Sequence, residues 1–157
     1  MKHKERTLVL IKPDALQRNL TGEIIHRLER KGLKIVALKM MSLGDAVLEE
    51  HYGHHKEKPF FPKLKDFMKQ APVVAVALEG FEAVAVVRSL CGETSGRKAV
   101  PGTIRGDFSI SQQANIVHAS DSVENGAIEI KRFFKAEDLF DYQGGNFPYV
   151  YGEEERG

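Results

Sequence analysis

Tryptophan is absent from the chain, and cysteine occurs once. Cys91 alone can close no intramolecular disulfide. With no CxxC partner it can build no cysteine metal site, and a single thiol suits a reducing compartment. No charge of one sign dominates either. Lys plus Arg number 23 against 22 Asp plus Glu, a net +1, so any preference for anions must come from local clustering. Long hydrophobic runs are missing too. A charge-rich start, Met1 to Arg6, leads into only five apolar-type residues, Thr7 to Ile11, too few for a signal-peptide core or a membrane span. The expectation is a soluble, cytoplasmic protein without a membrane partner. No internal repeat, low-complexity tract or linker interrupts it.

What is present suits one globular domain over residues 1–157. At 42% hydrophobic and 29% charged, a chain of this length buries roughly 68–70% of its unfolded surface and needs no structural metal to fold. Thr7 to Ile11 reads as a buried strand stopped by a turn at Lys12-Pro13-Asp14. Thr21 is placed to cap a helix running to Lys31, with Gly32 at its C-terminal cap. A strand over 33–43 and a helix over 46–55 follow, then a short helix after Pro62 through Phe67 to Lys69. Val73 to Leu78 reads as a strand and Glu82 to Leu90 as a helix. Gly92 to Gln113 carries too many glycines for one regular element. Asn115 to His118 reads as a last strand. Asp121-Ser122-Val123-Glu124 has capping-box spacing before a helical stripe of Val123, Ala127, Ile130 and Phe134. Strands alternating with helices imply an α/β or α+β domain with helices packed on a sheet.

The long glycine-bearing segment is where function is sought first, because structureless stretches of that length in compact domains usually carry one. It holds Arg97, Lys98 and Arg105, with Arg88 one turn upstream. Guanidinium forks pair phosphate oxygens two at a time, and glycine lets the backbone come close. A solvated surface loop has the same composition, and neither a Walker A loop nor a GxGxxG fingerprint is present. His118 ends an apolar strand just before a capped helix, where ligands meet open sheets. Its unprotonated nitrogen would be a competent nucleophile; a hydrogen-bonded structural histidine is the alternative. His51, His54 and His55 have helical spacing, but no HExxH glutamate or clear third ligand accompanies them, so an exposed or partnered helix face is preferred to zinc. Phe60-Phe61 between prolines fits either core or a base-stacking platform.

Six segments carry a resemblance: Thr7-Leu8-Val9-Leu10-Ile11-Lys12-Pro13-Asp14, His51-Tyr52, Pro59-Phe60-Phe61, Gly92-Glu93-Thr94, Pro101 to Asp107, and Asn115-Ile116-Val117-His118-Ala119-Ser120-Asp121. In this order, within a match from about Arg6 to Phe134, the chain resembles the nucleoside diphosphate kinases. The resemblance implies an α+β, ferredoxin-like βαββαβ core, a four-stranded antiparallel sheet covered by helices. It implies ping-pong transfer of the γ-phosphate from a nucleoside triphosphate such as ATP to a diphosphate, through a phosphohistidine on Nδ1 of His118. Glu129 would hold the other ring nitrogen and Ser120 would support Glu129, although the helical stripe puts Glu129 off the centre of the buried face. Phe60, with Leu64 alongside, would stack on the base. Lys12 and Asn115 would hold the sugar hydroxyls, Lys12 also reaching the transferring phosphate. Arg88 and Thr94 would bind the β-phosphate, Arg105 the γ-phosphate, and Tyr52 would bring its hydroxyl near the transferred group. Mg²⁺ would ride on the nucleotide phosphates with no protein metal ligand.

The resemblance also implies a homo-oligomer, a hexamer in preference to a tetramer. Within the tail 135–157, Phe147, Tyr149 and Tyr151 are candidates to pack on a neighbouring subunit. Two rival readings are a nucleic-acid-binding ferredoxin-like module and a catalytically silent scaffold. The first lacks aromatic ribonucleoprotein motifs and net basic charge. The second has no need of the Lys12, Tyr52, Arg88, Thr94, Arg105, Asn115 and His118 set.

Overall fold

A computed structural model describes residues 3–156; Met1, Lys2 and Gly157, parts of the charged start and of the tail, lie outside the described residues. Four strands, β1 (Lys4–Ile11), β2 (Lys34–Met41), β3 (Val73–Phe81) and β4 (Val117–Ala119), form one antiparallel sheet in the order β2-β3-β1-β4. The helices are α1 (Pro13–Gln17), α2 (Thr21–Arg30), α3 (Asp45–His51), α4 (Phe61–Met68), α5 (Ala83–Cys91), α6 (Ile104–Phe108), α7 (Val123–Phe133), α8 (Phe147–Val150) and α9 (Glu153–Arg156). The β1-α2-β2-β3-α5-β4 path is the ferredoxin-like α+β fold.

The central strands β1 and β3 are apolar on both sides because both faces of the sheet are covered. Val9, Ile11, Val76 and Leu78 pack under α2 and α5 with Ile24, Leu28, Val87 and Cys91. Leu8, Leu10, Ala75 and Ala77 pack against Leu48, Met68, Ile130 and Phe133 from α3, α4 and α7. β4 pairs with the end of β1, Leu10 opposite His118. That register brings His118 beside the end of β1, next to Lys12.

Several local expectations are corrected. Pro13 starts a short helix rather than a simple turn, as its fixed φ allows at a first helical position. Thr21 is already inside α2 and makes no cap bond, because Leu20 before it has helical backbone angles; a capping side chain works from an extended backbone. α3 stops at His51, and Gly53–His55 is a separate 3₁₀ turn, so His51 and His55 share no helix face. The glycine-rich segment contains α6, capped by Thr103 Oγ1 accepting from Gly106 N at 2.9 Å.

The consequential correction is in α7. Ser122 caps it by accepting from Asn125 N at 3.1 Å, and its buried residues are Gly126, Glu129, Ile130 and Phe133, while Val123 is 50% exposed. A Cβ on Gly126 would lie 2.8 Å from the carbonyl oxygen of Arg6. The helix thus leans on β1 at its glycine, and that rotation turns Glu129 inward.

The tail folds back on its own chain. Phe140 N donates to Val36 O at 2.8 Å, Tyr142 Oη to Ile35 O at 2.7 Å, and Phe81 N to Tyr151 Oη at 3.2 Å. Phe147 packs near Tyr151 and under Lys4. Tyr149 is left almost wholly exposed.

Candidate active site

The end of β1, β4, α7 and the segment before β4 surround a cavity of about 1000 Å³. His118 lines it, with a quarter of its side chain exposed. Its Nε2 lies 2.8 Å from Glu129 Oε2. A carboxylate only accepts, so Nε2 carries a proton, and in the neutral ring Nδ1 keeps its lone pair. Burial alone would raise the Glu129 pKa. The His118 hydrogen bond and charge, followed by the Ser120 hydroxyl and His51, bring it down to about 2. Glu129 therefore stays ionised at neutral pH. Ser120 lies behind this pair, fully buried, its Oγ accepting from Leu8 N at 3.1 Å.

The backbone leading into His118 is strained. Ile116 is buried and β-branched, yet its φ is +75°, a conformation that costs on the order of 1–3 kcal/mol. A γ-turn closes around it, Val117 N donating to Asn115 O at 2.8 Å. Lys12 N donates to Ile116 O at 2.9 Å, and Asp14 Oδ2 accepts from Ile116 N at 3.1 Å. The Lys12-Pro13-Asp14 corner thus clamps the turn that presents His118.

The cationic side chains are positioned by backbone oxygens. Lys12 Nζ donates to Gln113 O and to Asn115 Oδ1, both at 2.8 Å, which leaves one ammonium hydrogen free. Burial brings its pKa down to about 8 against the pull of Asp14, with Arg105 adding to the fall. Asn115 Nδ2 donates to Thr94 O at 3.0 Å. Arg105 donates through Nε to Asn115 O, Nη1 to Gly92 O and Nη2 to Val117 O, at 3.2, 2.9 and 2.7 Å. Three of its five N–H groups bolt the loop together, and two remain for a ligand. Gly92, at φ +80°, lies so close to the Thr103 side chain that a Cβ would collide with it.

Arg88, Thr94 and Tyr52 line the same cavity. Burial, helped by the Glu129 charge, raises the Tyr52 pKa, so its hydroxyl remains a donor. Phe60, 48% exposed, and Leu64 line the cavity as well. The His55 ring lies 5.2 Å from that of Phe60. Every residue that the resemblance assigned to the site reaches the cavity except the buried Ser120, whereas Arg97, Lys98 and Phe61, candidates from composition, are not among its lining residues.

Metal binding has one candidate among the described residues. His51, His118 and Glu129 bring ligand atoms within 4.8 Å of one another. However, Arg132 Nη1 donates to His51 Nδ1 at 2.8 Å, placing a cation where a metal would have to sit. The three carboxylates that line the cavity are each engaged, Glu50 by Arg132, Asp121 by Asn125 and Glu129 by His118, and the cations Lys12, Arg88 and Arg105 line it with them.

A family model for nucleoside diphosphate kinase matches residues 5–139. The chain is 54% identical over 151 residues to the nucleoside diphosphate kinase of Parabacteroides distasonis, spanning 96% of this chain and 99% of that one. It is 48% identical over 149 residues to that of Archaeoglobus fulgidus, 95% and 99% of the two chains. The chain belongs to the nucleoside diphosphate kinase family. Among solved structures, a halophilic nucleoside diphosphate kinase from Halobacterium salinarum in complex with CDP superposes with a TM-score of 0.92 at 42% identity, covering 96% of this chain and all of that one. A family protein from Babesia bovis gives 0.91 at 44%, covering 94% and 99%.

Against this family background, residues that the sequence left unassigned become visible. Asp14 clamps Ile116; the Lys-Pro-Asp corner signalled a break and not a clamp. His51 is 5% exposed, its ring edge-on to that of His118 at 4.5 Å between centroids, although in sequence it was one of three histidines within five residues. Arg132 lies three residues after Glu129, a same-face spacing on α7 that would have paired them.

Proposed function

We propose that the chain is a nucleoside diphosphate kinase working by ping-pong transfer through Nδ1 of His118. The observation that supports this is the His118–Glu129 contact of 2.8 Å, which favours a proton on Nε2 and the other nitrogen as the nucleophile, in a cavity that Arg88 and Arg105 also line. The Nδ1 lone pair forms a bond to the γ-phosphorus, and the bond from that phosphorus to the β-bridging oxygen breaks. The nucleoside diphosphate leaves with that electron pair on its terminal oxygen. The phosphorylated ring keeps its Nε2 proton, and Glu129 stabilises the imidazolium charge. A second diphosphate then attacks through a terminal oxygen and the same steps run backwards.

The protein's contribution is position and charge. Arg105 would address the γ-phosphate with its two free N–H groups, Arg88 and Thr94 the β-phosphate, and Tyr52 the transferred group. Lys12 and Asn115 would hold the sugar hydroxyls, the last ammonium hydrogen of Lys12 reaching the phosphate. Phe60 and Leu64 would take the base by stacking, which every base permits. Mg²⁺ would be carried by the phosphates and their waters and would neutralise their charge. The resemblance further supports a cytoplasmic homo-oligomer, a hexamer rather than a tetramer. Leu38 and Met40, exposed on the edge strand β2, are consistent with a covered edge. Light scattering would measure that assembly.

The decisive experiment is incubation with γ-labelled ATP followed by mass spectrometry, then a chase with several diphosphates. The expected result is one acid-labile, alkali-stable phosphate on His118 that every diphosphate discharges. Exchange without a phosphoenzyme would reject the mechanism.

A further inference from the structure

Two imidazoles face one carboxylate oxygen. Glu129 Oε2 lies 2.8 Å from His118 Nε2 and 3.6 Å from His51 Nδ1. A proton on Nδ1 would make His51 a second donor facing that oxygen. Arg132 prevents this. Its Nη1 is 2.8 Å from His51 Nδ1, and a guanidinium has no acceptor, so the lone pair must be on Nδ1 and the proton on Nε2. Arg132 is itself held by Glu50 at 3.2 Å, with its side chain only 11% exposed. His51 cannot turn away, because the rings of Tyr52, Phe133 and His118 surround it. Its Nε2 has no hydrogen-bond partner among the described residues. The fold thus accepts an unpaired buried N–H in return for keeping the proton off the nitrogen that faces Glu129.

We propose that Arg132 is a positioning residue that selects the tautomer of His51 and thereby reserves Glu129 for His118, keeping His118 Nδ1 unprotonated for phosphoryl transfer. The inference rests on His118 being the nucleophile of the proposed function. Without Arg132, the His51 proton is free to move to Nδ1 and donate to Glu129 Oε2. His118 then shares its acceptor and populates the Nδ1–H form, which has no lone pair for attack.

The test uses the full chain and three variants. Arg132→Met keeps length and bulk without a donor, and its kcat is expected to fall about tenfold with KM for nucleotide little changed, which places the loss in the chemical step. Nitrogen NMR of His118 should show Nδ1 shifting toward the protonated form. Adding His51→Phe removes the competitor but keeps the ring, so the double variant should regain most of the lost turnover. Arg132→Lys retains a donor and should lose less than Arg132→Met. An unchanged His118 nitrogen pattern in Arg132→Met, or a double variant no faster than the single one, would overturn the proposal. The NMR readout needs no turnover. A wild-type chain that forms no phosphohistidine would therefore sink the nucleophile assignment while leaving the tautomer question measurable.

Discussion

Two parts of the cavity lining, the proposed phosphate end and the proposed base end, are built differently. At the phosphate end, Lys12, Asn115 and Glu129 are all buried, and each already has a hydrogen-bond partner in the protein. The base end is an aromatic ring half in solvent, with a histidine beside it. Charge develops at the first end during phosphoryl transfer, and fixed donors there need no reorganisation as it does. The second end has only to accept a flat ring. Rigidity is concentrated where the reaction is the same for every substrate, and looseness where substrates differ.

The largest effect should come from the rigid end. His118→Ala is expected to lower exchange by about 10⁴-fold or more, as loss of a nucleophile does, and to abolish the phosphoenzyme while the melting temperature stays close to the parent's. Turnover near normal would mean that the rigid end is scaffold only. Next comes Arg105, which has two tasks at once. Arg105→Met removes both phosphate charge and the bolt through Gly92, Asn115 and Val117 carbonyls. A loss of about 10²–10³-fold in kcat/KM is expected, the scale of a removed transition-state donor. Arg105→Lys restores the charge without the fork. Should it recover full activity, the three carbonyl contacts would be dispensable and the preorganisation argument would lose its main support.

A pH profile sharpens the same contrast. Lys12 has its pKa lowered to about 8, chiefly by burial. Its charge is present below that pH and is lost as pH rises through it. The kcat/KM for a nucleotide should therefore fall above about pH 8, approaching tenfold per unit if only the charged form binds productively, since this profile reports the free enzyme. In Lys12→Met that basic limb should vanish, leaving a lower and flatter profile. A limb that persisted in the variant would assign the titration to another group.

Much of this could be read from the chain before any coordinates. Alternating strands and helices gave helices layered on a sheet, α/β or α+β, and the resemblance chose α+β and named the core and the residues that converge on the cavity. What escaped was geometry created by close approach. The inward face of α7 is set by Gly126 meeting the Arg6 carbonyl, and a count of apolar side chains treats glycine as blank. The same count put Glu129 off the centre of the buried face, although it is among the helix's buried residues. α6 was hidden because it is only five residues long and lies inside a glycine-rich stretch. The Ile116 turn was also hidden: nothing about an isoleucine announces a positive φ, and the clamp on it is supplied by Asp14, 102 residues away in sequence.

The smallest effect belongs to the loose end. Stacking of a base on an aromatic ring is worth about 1–3 kcal/mol, and a ring 48% exposed should give the lower part of that range. Phe60→Ala is therefore expected to raise KM by roughly fivefold to tenfold with kcat little changed, because a remote stacking contact is felt equally in the ground and transition states. The comparison predicts more than the size of the loss. Titrating the variant with purine and pyrimidine diphosphates should give similar ratios to the parent, since the ring offers a face and no hydrogen-bond code. A defect confined to purines would mean that the base end discriminates, and the contrast with the phosphate end would then be one of degree and not of kind.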